Sequence, residues 1–374
     1  MQISQHCWQQ GHITPALPDN TPQLVLIFGN EAAQQALPQL QQQYPEAIIA
    51  GCSTGGEIID SSVCDDQVSI SLLSFRHTRL QAYSAEVTTP QRSYYAAQEL
   101  AAGIDTRQLQ HLLVFCNGIQ VNAQEVVSGI NSILAPFNSI SGGVAGDGDR
   151  FQQTCTYFND GSHHQRIILI AFYGQQLQVQ CGSYGGWDTF GPMRRVTRSR
   201  GTRLYELDGQ SALALYERYL GDFATDLPGS ALRFPLEVQR HEQDNNPVVC
   251  SVFGIDRDDG CLIFSQDIPE GSITRLMRAN LDRLIDGAQT ASEQACRNAT
   301  SLRPEFALLI SCVGRRTVLQ QLVDEELETL SETLQRDIPH AGFYSYGEIA
   351  PNMGLGPCNL HNQTMTITTF AEQE

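Results

Sequence analysis

The sequence contains no lysine: all 23 of its basic residues are arginine. Schiff-base and pyridoxal-phosphate chemistry need a lysine amine, as do Walker-type NTPases and phosphoryl transfer of the protein-kinase kind. One absence removes all of these classes. Positive charge is scarce altogether, with 41 Asp and Glu against those 23 Arg and a formal net charge of −18. A surface that acidic repels phosphate backbones and anionic lipids, so neither nucleic acid nor a membrane is expected as a partner. Long apolar runs are missing too, none approaching the ~18 residues that cross a bilayer. Met1 to Gly11 carries neither a basic flank nor an apolar stretch. No secretory leader is therefore expected, and a cytoplasmic location follows by default. The eleven cysteines include no C-x-x-C and read as buried thiols, not as a disulfide framework.

At 374 residues and 41% hydrophobic, the chain has the length and composition of a folded protein of two or three domains. Three segments share one plan: apolar strand, polar turn, helical stretch, then a Gly-rich turn carrying a carboxylate. The first has the strand Leu24–Phe28, a helix from Glu31 to Tyr44, a break at Pro45, a second strand from Ala47 to Ala50 and the turn Gly51-Cys52-Ser53-Thr54-Gly55-Gly56-Glu57. The second has Leu112–Phe115, a helix from Ala123 to Leu134, a break at Pro136 and the turn Gly143 to Asp149. The third has Ala307–Ile310, a helix from Thr317 to Gln335, a break at Pro339 and the turn Gly342-Phe343-Tyr344-Ser345-Tyr346-Gly347-Glu348. Three occurrences in one order suggest duplication of a β-α-β unit, with Glu57, Asp149 and Glu348 at matched positions. Ile273 to Ala288 reads as a further helix, and Val248 to Ile255 as a strand leading into an Asp-Gly hairpin. The expected fold is α/β: two related mixed α/β domains, at 1–205 and 206–374, built from repeated β-α-β units with Gly-rich turns.

Several motifs admit a chemical and a structural reading. Gly51-Cys52-Ser53-Thr54-Gly55 matches the nucleophile elbow G-x-S-x-G, but that motif works only between a strand and a helix, and here a strand is expected to follow. Repetition of the turn carboxylates favours hydrogen bonding within the turns over acid–base work. Cys52, Cys116 and Cys312 lie in or beside these turns; Arg315 and Arg316 could activate Cys312, and a small buried hydrophobe is the alternative. The cluster Arg194, Arg195, Arg198, Arg200 and Arg203 is an anion site or a solvated strand. Cys358-x-x-His361 lacks the second pair that zinc requires.

Together these segments resemble the FIST family, a sensory module with N-terminal and C-terminal parts, from about Gln23 to Thr368. The resemblance rests on Gly51 to Ile58, Gly142 to Gly148, Gly186-Trp187 with Gly191 and Val196-Thr197, Tyr205 to Gly209, Ser311 to Arg315, Gly342 to Pro351, and His361 to Thr364. One position departs from the family pattern: Cys250 stands where an Arg is expected. The resemblance implies a small-molecule ligand, amino acids among the suggestions, and a signalling output. Stand-alone members resemble nitric-oxide-sensing haem proteins that regulate a histidine kinase. That comparison implies haem as cofactor, with His361, His241 or His340 as candidate axial ligands. The expected ligand site, at the Gly-rich turns, comprises Cys52, Ser53, Thr54, Glu57, Cys312, Arg315, Tyr344, Tyr346, Glu348 and Asn362, with no catalytic residue. A non-haem amino-acid-like sensor, a cysteine-dependent enzyme and an interaction scaffold are the alternatives.

Overall fold

The computed structural model describes residues 1–134, 139–241, 247–297, 302–352 and 356–373; Pro136 lies outside them. The chain runs through three repeats. The first comprises β1 (Gln2–Gln9), β2 (His12–Thr14), β3 (Leu24–Phe28), α1 (Glu31–Gln43), β4 (Ile48–Cys52), β5 (Glu57–Ile59), β6 (Ser62–Cys64) and β7 (Val68–Ser74). The second comprises β8 (Arg79–Glu86), α2 (Ser93–Ala102), β9 (Leu109–Cys116), α3 (Ala123–Asn131), β10 (Ser139–Val144), β11 (Thr156–Phe158), β12 (Gly161–His163) and β13 (Arg166–Tyr173). The third opens with β14 (Leu177–Tyr184) and is then interrupted by an inserted subdomain: β15 (Asp188–Arg200), β16 (Arg203–Leu207), β17 (Gln210–Ser211), α4 (Ala212–Leu220), β18 (Leu236–Gln239), β19 (Val248–Cys250), β20 (Val252–Asp256), β21 (Cys261–Phe264) and β22 (Ile273–Arg278). It resumes with α5 (Leu281–Ala295), β23 (Phe306–Cys312), α6 (Val313–Leu319), α7 (Val323–Leu334), β24 (His340–Ser345), β25 (Gly347–Pro351), β26 (Cys358–His361) and β27 (Met365–Glu372).

The repeats form three sheets of one design, and the insertion forms the fourth. Their strand orders are β12-β11-β4-β3-β7-β1-β2, β26-β25-β10-β9-β13-β8 and β6-β5-β24-β23-β27-β14. Each contains one parallel pair, β3 with β4, β9 with β10, and β23 with β24. Each is extended by a hairpin from a different repeat. The hairpin of the first joins the sheet of the third, that of the third joins the second, and that of the second joins the first. The first strands are mainly apolar because their sheets are covered on both faces; Leu24–Phe28 and Phe306–Cys312 are buried at every position. Helix α1 presents Ala33, Ala36, Leu37 and Leu40 inward, the spacing of one helical face. Around the pseudo-threefold axis, Phe28 stacks on Phe343 at 4.7 Å and meets Phe115 at 5.8 Å.

The structure corrects the matching of the turns. Gly51, Gly142 and Gly342 occupy the equivalent positions, facing Ile27, Val114 and Leu309 of the parallel neighbour. Their hairpin partners are Tyr157, Ile349 and Ile58. The residue before each partner is Thr156, Glu348 or Glu57. The counterpart of the two glutamates is therefore Thr156, and Asp149 is an exposed loop residue. The segment from Ile273 is a strand before it is a helix: Thr274 and Leu276 are buried in alternation, and Asn280 then caps α5 through Arg283 N–H. The expected helix over 317–335 is two helices, α6 and α7, broken at Gln320, whose φ is +51°. The expected boundary after residue 205 falls inside β16. Three sheets draw strands from both sides of it, so the packing units are the repeats and the insertion.

A β-carbon at Gly51, Gly142 or Gly342 would overlap the carbonyl oxygen of the paired strand, whereas one at Gly229 meets nothing within 4 Å. Alanine at any of the three is expected to lower unfolding free energy by about 1–3 kcal/mol or more. Urea titration should place Gly229→Ala within about 0.5 kcal/mol of the parent.

Candidate functional site

The closing turns meet because the hairpins are exchanged. Gly55 N–H donates to Tyr344 O at 2.7 Å and Tyr344 N–H to Gly56 O at 2.9 Å. Gly146 N–H donates to Ser53 O at 2.9 Å, and Tyr346 N–H to Val144 O at 3.1 Å. All three turns are thereby locked to one another. Thr54 Oγ1 donates to Glu57 at 2.5 Å and Ser345 Oγ to Glu348 at 2.6 Å, the same bond in two repeats. The carboxyls differ in what remains. Glu348 Oε2 also accepts from Thr364 N–H and Oγ1, while Glu57 Oε2 has no hydrogen-bond partner among the described residues. Burial pushes both up to about 8, against the lowering effect of those hydrogen bonds.

Most of the expected ligand residues are walled into this scaffold. Cys52 and Cys312 are buried, and burial pushes both thiols up, so neither is primed as a thiolate. Arg315 is wholly buried. Its guanidinium pairs with buried Glu326 and donates to the carbonyls of Gly185, Leu284 and Gln363, tying α6 to α5, α7 and the β14–β15 connection. Tyr344 is buried with Arg316 lying 5.5 Å over its ring. Asn362 is buried, donating to Tyr346 O and accepting from Ser265 and Gln266.

Ser53 and Thr54, though buried, lie against the walls of two clefts. Ser53, with Asn30, Glu31, Asp147, Arg150, Gln152 and Gln153, lines a cleft of 540 Å³. Thr54 and Gly55, with Asn30, Asp65, Asp147, Arg150 and Arg316, line a second of 530 Å³. Asn30, Asp147 and Arg150 belong to both, so the 147–153 loop is their common wall. Asp147 holds that loop in shape. Its carboxylate accepts the N–H groups of Phe151, Gln152 and Gln153, each at 2.9 Å, and the hydroxyl of Tyr346. Burial opposes ionisation there, and the Tyr346 and backbone donors outweigh it, so the group sits below the usual carboxylate range. Phe151, at φ +49°, stacks on Tyr346 at 4.6 Å and against Phe253 of the insertion at 5.4 Å. Asn30 leaves its own helix uncapped because its Oδ1 accepts Thr54 N–H at 3.2 Å. Arg316 pairs with Asp65 at 2.7 Å and donates to Gly55 O. Sequence reasoning did not single out Asn30, Asp147 or Arg150 as ligand residues. A signal existed for Asn30, a polar residue in the Gly29-Asn30 turn at the end of a first strand, where such folds bind ligands.

The candidate haem ligands do not fit that role. His361 is buried, its Nε2 3.0 Å from Ala350 O, and burial lowers it to about 4. His340 is buried with Nδ1 3.0 Å from Ile338 O. His241 is exposed. None of them lines either cleft, and both clefts are polar where a macrocycle needs apolar walls. Among the described residues no group of three or more His, Cys, Asp or Glu is placed to hold a metal ion. The arginines of β15 and β16 are a solvated face: Arg194 pairs with Asp208, Arg198 with Glu206, and Arg203 with Asp256 and Asp259. No helix among the described residues is long and apolar enough to cross a membrane.

Two consequences can be measured. Glu57 and Glu348 hold protons in the folded chain that the unfolded chain releases near 4.5. Their burial therefore costs nothing below that value, and stability falls as pH rises from about 4.5 to about 8. Glu57→Gln should flatten that decline in urea titrations, most visibly at pH 8. Arg315→Met, which leaves Glu326 buried and unpaired, should cost about 3–5 kcal/mol, and Arg315→Met with Glu326→Leu should recover much of it.

A family model for the FIST N domain matches residues 23–210, and one for the FIST C domain matches residues 212–351. Their junction falls inside the inserted subdomain, between β17 and α4. An uncharacterized protein of Methanocaldococcus jannaschii is 22% identical over 321 residues, a match that spans 80% of this chain and 61% of that protein. FIST domains are associated with sensing of small ligands in signal transduction, and are sensory rather than catalytic. The chain, matched along nearly all its length, belongs to the FIST family.

Proposed function

We propose that the protein senses a small zwitterion of the amino-acid class, held in the twin clefts at the closing turns. The observation that carries this reading is the lining. Arg150 faces both clefts and makes no ion pair among the described residues. The first cleft sets Glu31 and the amides of Gln34, Gln35, Gln152 and Gln153 around it. A carboxylate pairs with the guanidinium fork, and an ammonium with Glu31 and the amide oxygens. Amides and hydroxyls of fixed geometry supply selectivity. A ligand there contacts the first and second repeats together, and through the second cleft α6 of the third. Binding thus biases the relative seating of the repeats. A histidine kinase, the receiver that the resemblance suggests, would read that change.

A thermal-shift series with the common L-amino acids tests the reading. At least one should raise the midpoint with a saturable dose dependence. Arg150→Gln should weaken it at least tenfold while leaving the unliganded midpoint in place, since Arg150 is exposed. No shift with any amino acid at 10-millimolar order of concentration would refute the ligand class. A saturable Soret band on haem titration would replace it with haem.

A further inference from the structure

On the far side of α6 lies a groove of 620 Å³ between the inserted subdomain and the third repeat. Its floor is Phe234, Val318 and Leu319, and its mouth carries Phe223 and Leu281. Phe223 is 47% exposed and Leu281 40%. Two large apolar side chains are thus left in water at the lip of a concave apolar surface, where a monomer gains nothing from them. Phe223 already packs on Phe234 at 5.3 Å, so the aromatic wall is ordered.

The charge of the lining runs against that of the chain. The whole sequence has nearly twice as many acids as bases, yet among the described residues the lining holds Arg233 and Arg278 and no carboxylate. Asp222 and Asp282, adjacent in sequence to lining residues, are not part of it. Ala279 N–H donates to Arg233 O at 3.1 Å, which sets the two arginines on neighbouring segments. Neither makes an ion pair among the described residues; Arg278 only rests 6.0 Å over the ring of Phe190.

We infer that this groove is a second ligand site, which takes a small carboxylate with an apolar body, aryl or medium-chain acyl. The apolar part lies against Phe223, Phe234 and Leu319, and the carboxylate meets Arg233 and Arg278 at the rim. The volume is within the range of small-molecule sites, and paired guanidiniums take a carboxylate in bidentate geometry. Gln320 lines both this groove and the second polar cleft. Its φ of +51° is one that non-glycine residues rarely adopt, at the break between α6 and α7. The two sites share that wall, but the inference does not depend on what the polar clefts bind.

Calorimetric titration of the full chain with 4-phenylbutyrate and decanoate, against 4-phenyl-1-butanol and inorganic phosphate, tests it. The two acids should bind saturably, the alcohol at least tenfold more weakly, and phosphate alone not at all. Arg233→Gln with Arg278→Gln, both exposed and expected to fold, should weaken the acids at least tenfold and leave the alcohol unchanged. Phe223→Ser should weaken acids and alcohol alike. Equal binding of acid and alcohol, or unchanged acid binding in the double arginine variant, would overturn the inference. Loss of acid binding in Arg150→Gln would place the acids in the polar clefts instead. Dimerisation abolished by Phe223→Ser would assign the groove to a second copy of the chain, and would likewise overturn it.

Discussion

Each of the three main sheets is incomplete without a hairpin that another repeat supplies. The pairing of β11 with β4, β5 with β24 and β25 with β10 closes a cycle, so no repeat can bury its closing strand alone. In the first and third repeats the hairpin follows directly on the closing strand, so the chain passes from one sheet to the next within a few residues, and in the second it does so across the loop 145–155. Those passages are the Gly-rich turns. Their convergence at the axis, their mutual backbone hydrogen bonds and the clefts at their outer edge all follow from the exchange.

The same constraint explains why the chemically suggestive residues are not exposed. Glu57 and Glu348 stand at the start of swapped strands and are sealed by the neighbouring sheet. They serve as local acceptors for Thr54 and Ser345. Arg315 is held by Glu326 and three carbonyls from separate elements, which makes it a fastener of the third repeat. A second polar network is hidden in the same way: His111 sits between Ser139 and Ser141, burial lowers it to about 3, and Ser141 accepts from Thr368. What lines the clefts around the turns is a set of side-chain amides with the charged Glu31 and Arg150, suited to holding a polar molecule.

Much of the repeat plan was legible in the chain. Fully apolar strands such as Leu24–Phe28 and Ala307–Ile310 announce sheets covered on both faces, and the turns after them stand out by glycine and carboxylate. Helix α1 matched its reading within a residue. The matching of Asp149 to the glutamates failed because the second repeat carries a longer loop, 145–155, between its closing strand and its hairpin. That insertion shifts Thr156 into the place where adjacency in sequence put Asp149. Ile273–Arg278 read as helix because only Ala279 and the cap Asn280 separate the strand from the helix that follows.

The sequence by itself determined the chemistry that is unavailable, through its missing lysine, and the family, through ordered motifs over nearly its whole length. It also determined the local units, since strand, turn and helix follow from side-chain periodicity and glycine placement. Only the tertiary structure decided which sheet each hairpin completes, because strand partners are chosen by burial across long separations. For the same reason it alone decided that Asn30 shares two clefts with Asp147 and Arg150, more than a hundred residues on in the chain, while Cys312, Arg315 and Glu348 do not reach them. Residue type indicates what a side chain can do, and packing against the other repeats decides whether solvent or a ligand can reach it.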